Sequence, residues 1–388
     1  MPAKQLMDLL RFDDLLDEEQ RLIQDTVRAF VRDKVKPHIA GWYEQGVSPR
    51  ELATDLGRLG LLGMHLTGYG CAGTSAVAYG LACLELEAGD SGLRSFVSVQ
   101  GSLSMFSIWK YGSEQQKQQW LPRLAAGEAI GCFGLTEPDF GSNPAGMRTR
   151  AVRDGGDWIL SGTKMWITNG SVADVATIWA RTDDGIRGFL VPTGTPGFTA
   201  SDVHHKLSLR ASMTSELFLD SVRLPADAML PGAKGLSGPL GCLNEARYGI
   251  VWGAMGAARD CLEATLAYAG TRIQFDRPIA GFQLTQAKFA DCALELYKGL
   301  LLALHLGKLK DAGALDPAQI SLGKLNNVRE AIEIARTCRT VLGGSGITLE
   351  YPVLRHASNL ESVLTYEGTS EVHQLAIGHA LTGISAYR

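Results

Sequence analysis

After Asp17 the apolar residues Leu22, Ile23, Val27, Phe30 and Val31 recur with a spacing near 3.6, and Gln20 stands three positions beyond Asp17. That pattern predicts an amphipathic helix opened by a capping box. Helical periodicity returns in TSAVAYGLACLELEA, in LRSFVSVQGSLSMFSIWKYG and in SEQQKQQWLPRLAAG, so residues 1–130 read as a helical domain. From residue 131 the texture changes. MRTRAVRDGGDWILSGTKMWITNG holds two β-like runs joined by DGGD, DVATIWARTDDGIRGFLVP repeats the arrangement around TDDG, and ELFLDSVRLP adds a strand before Pro225. Short polar or glycine turns between such runs predict hairpins, hence an antiparallel β domain over 131–232. Long helical patterns resume at 240–270, 282–311 and 316–342, which makes 233–388 a second helical domain. The order is helices, sheet, helices, an α+β arrangement distinct from the alternating βα of a parallel nucleotide-binding sheet.

Composition narrows the function. A chain of 388 residues exceeds one ordinary core and calls for two or three domains. A net charge of −4, with no basic cluster interleaved with aromatics, argues against a nucleic-acid surface. Seven cysteines are scattered without a CxxC pair, so neither a disulfide framework nor a zinc site is expected and a reducing cytoplasm fits. The acidic MPAKQLMDLLRFDDLLDEEQ start lacks the apolar centre of a signal peptide, and no apolar run approaches the ~18 residues of a membrane span.

Several stretches carry candidate chemistry. LTYEGTSEVHQ sets Glu367 between an aromatic residue and a glycine, where a broken helix would present a carboxylate to a ligand. CFGLTEPDFGSNPAG combines Thr136, Pro138, Gly141 and Ser142 with little side-chain bulk, which suits a backbone wrapped around a flat ligand. In KMWITNG, Trp166 and Thr168 share one face of a strand; they suit a flavin ring, but the segment by itself favours a core tryptophan beside a satisfied threonine. SGLRSFVSVQG puts Arg94 and Ser98 one helical turn apart, either as a snorkelling surface group or as a guanidinium and hydroxyl facing an anionic substrate. Spacing alone favours the surface. Arg247 and Arg272 read as phosphate or amide contacts, or as capping charges. LGGSGIT follows a helical run rather than a strand, so it reads as a helix end and turn. His204 and His205 have no companions at ligand spacing and read as loop surface without a metal.

As a set, CFGLTEPDFGSN, GTKMWITNG, RIQFDRPIAGFQLTQAKFAD, VLGGSGI and TYEGTSEVHQ resemble the acyl-CoA dehydrogenases in order and spacing over nearly the whole chain. The resemblance implies an N-terminal helical domain, a central β domain and a C-terminal four-helix bundle, in a homotetramer that binds FAD without a covalent bond. DSGLRSFVSVQGSL, GCFGLTEP, KLSLRAS, GCLNEARYGI, RHASNLESVLTYEGT and the closing LTGISAY look most like the glutaryl-CoA subgroup. That likeness makes Glu367 the catalytic base and directs Arg94 and Ser98, with Glu87 and Tyr366 nearby, to a distal carboxylate. Phe133, Leu135, Thr136, Gly141, Ser142, Trp166 and Thr168 would line the flavin and its chain. Arg272, Phe275, Gln283 and the Gly343–Gly344 turn would reach the FAD of a partner subunit. Thr369 and Glu371 would flank the flavin from the C-terminal side, and Arg247 and Ser142 would touch the CoA part. Asp276, Thr340 and Leu364 depart from the pattern, standing where glycine, glutamine and asparagine are usual. The implied reaction is oxidation of glutaryl-CoA with decarboxylation to crotonyl-CoA, electrons passing to an electron-transfer flavoprotein. The alternative is another short-chain or dicarboxylic acyl-CoA without decarboxylation.

Overall fold

The computed structural model describes residues 5–386; the first four residues of the acidic start, and Tyr387 of the LTGISAY motif, lie outside them. Helix α1 (Glu18–Phe30) begins as its sequence requires. The Asp17 carboxylate accepts from the Gln20 N–H at 2.8 Å while Gln20 Oε1 accepts from the Asp17 N–H at 3.2 Å. Helix α2 (Ala76–Gly89) is buried along its whole length, consistent with an almost uninterrupted apolar run. Asp90 then caps α3 (Ser91–Ser98), accepting from the Gly92 N–H at 2.7 Å. The chain continues through a wider π-helical stretch, Val99–Met105, before α4 (Glu114–Ala125), whose Ser113–Gln116 capping box repeats the device of α1.

The central sheet contains β1 (Gly131–Gly134), β2 (Arg150–Asp154), β3 (Asp157–Thr168), β4 (Val175–Thr182), β5 (Gly185–Pro192), β6 (Phe198–Asp202) and β7 (Thr214–Leu224). Their order is β1-β4-β2-β3-β7-β6, with β5 also on β4. Both expected hairpins are present, Asp154 facing Asp157 across DGGD and Thr182 facing Gly185 across TDDG. Most of the sheet is antiparallel, as the turns demand. The difference lies at β4, against which both β1 and, through the Arg150–Arg181 pair, β2 run parallel, so the sheet is mixed. A parallel partner needs no turn, so nothing local announced it. Alternation along β1 splits the interior: Phe133 and Leu135 join the helical core, while Cys132 faces a separate sheet core around Trp158, Leu160 and Phe189.

The C-terminal part is built from α5 (Ser237–Thr271), α6 (Gln283–Asp311), α7 (Pro317–Leu342), α8 (Val353–Thr365) and α9 (Ser370–Thr382). Among the described residues no helix is long and apolar enough to cross a membrane. Buried charge ties these helices to the N-terminal ones. Glu85 of α2 accepts from both terminal nitrogens of Arg259 on α5, at 2.7 and 2.5 Å, and from Gln24 and Arg28 of α1. Asp90 pairs with Arg355 and accepts from Asn359 of α8, and Asp260 of α5 pairs with Lys36 and His356.

Removing one member of a buried pair strands the other, at about 3–5 kcal/mol. Glu85→Ala is therefore expected to lower unfolding stability by about 3 kcal/mol, read as a fall in urea midpoint.

Candidate active site

Helices α2 and α3 meet at Asp90, and this corner brings Glu87 and Arg94 together. Arg94 Nε donates to Glu87 Oε2 at 2.6 Å, with both side chains sealed from solvent. Arg94 Nη2 donates to the Tyr366 hydroxyl, which also lies 3.3 Å from Ser95 Oγ. Helix α5 passes beside this pair at Gly253. A Cβ there would collide with Glu87 Oε2 and sit 3.2 Å from Arg94 Nε, so the glycine makes room for the ion pair. Burial opposes the Arg94 charge, yet Glu87 above all, then Tyr366, hold its pKa well above the ordinary value.

Glu367 sits in the tight turn between α8 and α9. Its φ of 53° and the 101° of Gly368 put two successive residues in the left-handed half of backbone space. For a glutamate that conformation costs roughly 1–2 kcal/mol, so the surroundings must impose it. They do so through carbonyls. Arg247 Nε of α5 donates to Glu367 O at 2.7 Å, and Lys324 Nζ of α7 donates to both Tyr366 O and Gly368 O at 2.6 Å. Thr369 caps α9, accepting from the Val372 N–H. Burial raises the Glu367 carboxyl above the ordinary range against the opposing pull of Arg94, Lys324 and Arg247. Lys324 is displaced downward by burial, with Glu367 opposing.

Among the described residues, the buried polar atoms without a protein partner include Arg94 Nη1, Glu87 Oε1, Ser98 Oγ and Glu367 Oε2 at this site. Each such atom costs about 1–3 kcal/mol unless something answers it. A ligand with an anionic end and a group to be deprotonated fits this set. The surface reading of Arg94 is thus corrected: the guanidinium points inward because Glu87 and Tyr366 compensate its charge.

The remaining sequence candidates lie elsewhere. Thr136 is half-buried just after β1, its carbonyl accepting from the Met165 N–H, and Gly141 and Ser142 are exposed in the following loop. A bulge between Lys164 and Ile167 in β3 gives Trp166 a φ of 63° and leaves it 57% exposed, while Ile167 turns inward and Thr168 is half-buried. An exposed indole on strained backbone near low-bulk hydroxyl positions fits a flat aromatic ligand. Phe133 and Leu135 are instead core residues, Phe133 lying 6.0 Å from the Trp179 ring. Arg272, Phe275, Gln283, Gly343, Gly344 and Glu371 are exposed at helix ends and turns, Phe275 at 86%; of these, Glu371 reaches the Glu367 turn through a side-chain hydrogen bond with Thr369. Gly343 closes α7, the helix-end role its sequence suggested. His204 and His205 are exposed in a loop. Lys324, Ser95 and Gly253 were missed. Lys324 carried a signal: it occupies an inward position between Ile320 and Val328, where a lysine is out of place unless paired.

Three family models match the chain: acyl-CoA dehydrogenase N-terminal domain over residues 17–128, middle domain over 132–222 and C-terminal domain over 233–382. The crystal structure of glutaryl-CoA dehydrogenase from Mycobacterium smegmatis is 72% identical, with a TM-score of 0.98 and full coverage of both chains. A second structure, of a glutaryl-CoA dehydrogenase from the same organism in complex with FADH2, is 71% identical, again with a TM-score of 0.98 and full coverage of both chains. The mitochondrial short-chain specific acyl-CoA dehydrogenase of Homo sapiens is 35% identical over 387 residues, covering 97% of this chain and 93% of that protein.

Because folding raises the Glu367 pKa, the carboxyl contributes stability at low pH that is lost as pH climbs through the folded value. Glu367→Gln, which cannot ionise, is expected to gain stability over the parent as pH rises from 4.5 to 8. Thermal unfolding at several pH values measures this, and a constant difference would contradict it.

Proposed function

The chain belongs to the acyl-CoA dehydrogenase family, and from that premise we propose that it oxidises glutaryl-CoA and decarboxylates the product to crotonyl-CoA and CO2. The observation that carries this reading is Arg94: a sealed guanidinium, held by Glu87 and Tyr366, whose Nη1 has no partner among the described residues. A carboxylate at the far end of the acyl chain answers that nitrogen, with Ser98 Oγ beside it. The 72% identical glutaryl-CoA dehydrogenase supports the same substrate. The second reading, another short-chain or dicarboxylic acyl-CoA without decarboxylation, draws on the 35% identical short-chain relative.

Glu367 is the proposed base. Its raised pKa moves it toward the working pH, where a base is most effective. The α-proton of the thioester passes to its carboxylate, and the developing enolate oxygen takes a hydrogen bond from the Glu367 N–H. FAD, when bound, supplies the acceptor for the hydride leaving the β-carbon. Trp166, Thr136, Thr168, Gly141 and Ser142 are proposed to hold FAD, with Phe133 and Leu135 backing them from the core. Thr369 and Glu371 flank it, and a partner copy contributes Arg272, Phe275, Gln283 and the Gly343–Gly344 turn. The large exposed ring of Phe275 supports such an assembly, a homotetramer. Ser142 and Arg247 are proposed contacts for the CoA part.

Decarboxylation follows on the unsaturated product. The bond from carbon to the distal carboxylate breaks, CO2 departs, and the electron pair moves into the conjugated thioester as a dienolate. Protonated Glu367 then returns its proton to the terminal carbon. Arg94 grips the carboxylate until the bond breaks. Electrons leave to an electron-transfer flavoprotein, in a cytoplasmic setting, and the three domains span 1–130, 131–232 and 233–388.

Anaerobic turnover of glutaryl-CoA with an artificial acceptor, followed by mass, tests the proposal. Crotonyl-CoA with CO2 is expected; accumulating glutaconyl-CoA removes the decarboxylation step, and oxidation of butyryl-CoA alone favours the second reading. A charge-assisted contact is worth about 1.5–3 kcal/mol, so Arg94→Ala should cut kcat/KM for glutaryl-CoA relative to butyryl-CoA by roughly 10- to 100-fold.

A further inference from the structure

We propose that Lys324 is a positioning residue that sets the direction of the Glu367 backbone N–H and so forms the hydrogen-bond donor for the substrate thioester. The inference rests on the acyl-thioester reading above and deepens it.

The geometry runs through peptide planes. Among the described residues every peptide bond is trans, and in a trans plane the N–H points opposite to the preceding carbonyl. Tyr366 O is fixed on Lys324 Nζ at 2.6 Å, so the Glu367 N–H in that plane points away from Lys324. No acceptor among the described residues takes that N–H. The same ammonium holds Gly368 O at 2.6 Å, two planes further on, while Arg247 takes the intervening Glu367 O at 2.7 Å. Two cations from two different helices thus gather three consecutive carbonyls, which is what keeps Glu367 at a φ of 53°. Lys324 is 2% exposed, and its hydrogen bonds all go to this turn. A lysine buried at the expense of its own charge, only to hold backbone, has a purpose the fold alone does not demand.

The charged and titratable groups around the turn come from every neighbouring element: Glu87 of α2, Arg94 of α3, Arg247 of α5, Lys324 of α7, Tyr366 and His373. Losing the ammonium leaves Arg94 and Arg247 facing the base, so the base weakens its hold on the charged form without being unpaired.

The test is Lys324→Met, with binding of crotonyl-CoA labelled with 13C at the thioester carbonyl followed by difference infrared spectroscopy. In the parent the carbonyl stretch is expected to fall on binding, and in the variant at least half of that fall should disappear. A donor displaced by about 1 Å loses about 100-fold, so kcat should drop on that scale while the KM for glutaryl-CoA stays within about threefold. The acid limb of the pH profile should move upward. A general loss of structure would move KM and melting temperature instead, with no selective infrared change. Lys324→Gln, which keeps a polar donor on α7, decides the matter if the Met variant does not fold, and an intermediate infrared shift is expected. A folded variant of either kind with the full parental shift overturns the proposal. A parent that shows no carbonyl shift with any acyl-CoA would instead overturn the thioester reading on which it rests.

Discussion

The site depends on keeping one guanidinium charged where water cannot reach it. Isolated, a buried charge of that size would cost far more than the chain's whole stability. Glu87 compensates Arg94 at 2.6 Å, the Tyr366 hydroxyl adds a second acceptor, and α5 can approach the pair only because Gly253 has no side chain. The pair is not fully satisfied, since Arg94 Nη1 and Glu87 Oε1 keep capacity for a ligand. Under the proposed function, specificity for an acyl group with a charged end would come from the unanswered Arg94 Nη1. A methyl-terminated acyl chain would leave the same atoms unanswered.

The second constraint is backbone strain at Glu367. Glu367 lies in a conformation that glycine prefers, and its proposed role as base needs the carboxylate, so the turn cannot simply be relaxed by sequence choice. The strain is met from outside, by Lys324 and Arg247 on helices that start far apart in the chain. The proposed acyl-end recognition and proton transfer therefore share one cluster of three cations, Arg94, Arg247 and Lys324, around the two carboxylates Glu87 and Glu367. The same cations that lower the proton affinity of Glu367 are opposed by the burial that raises it.

Much of this was legible before any coordinates. The capping box at Asp17, the DGGD and TDDG hairpins and the three long C-terminal helices came from local rules, and local rules decide them. The parallel strand β1 was not legible, because its partner lies more than forty positions away with no shared turn. Periodicity pointed Arg94 toward the surface, since no spacing rule reveals that Glu87, seven residues earlier, folds back onto it. Trp166 kept its outward side only through a bulge that the strand pattern did not foretell. Lys324 was visible as an oddity on an apolar helix face, but its partners are main-chain carbonyls, which leave no mark on sequence.

The buried charge pairs joining α1, α2 and α3 to α5 and α8 have a consequence for how the chain is made. Glu85 meets Arg259 only 174 residues later, and Asp90 meets Arg355 only 265 residues later. At ribosomal speeds of about 5–20 residues per second, α2 waits roughly ten to thirty seconds for the helix that covers it. During that interval an apolar helix that the finished protein hides on every side lacks its α5 cover and Glu85 has only its α1 partners, while the sheet emerging behind it can already close its own core. Vectorial synthesis thus leaves the N-terminal helices as the segment that a nascent-chain chaperone would hold longest.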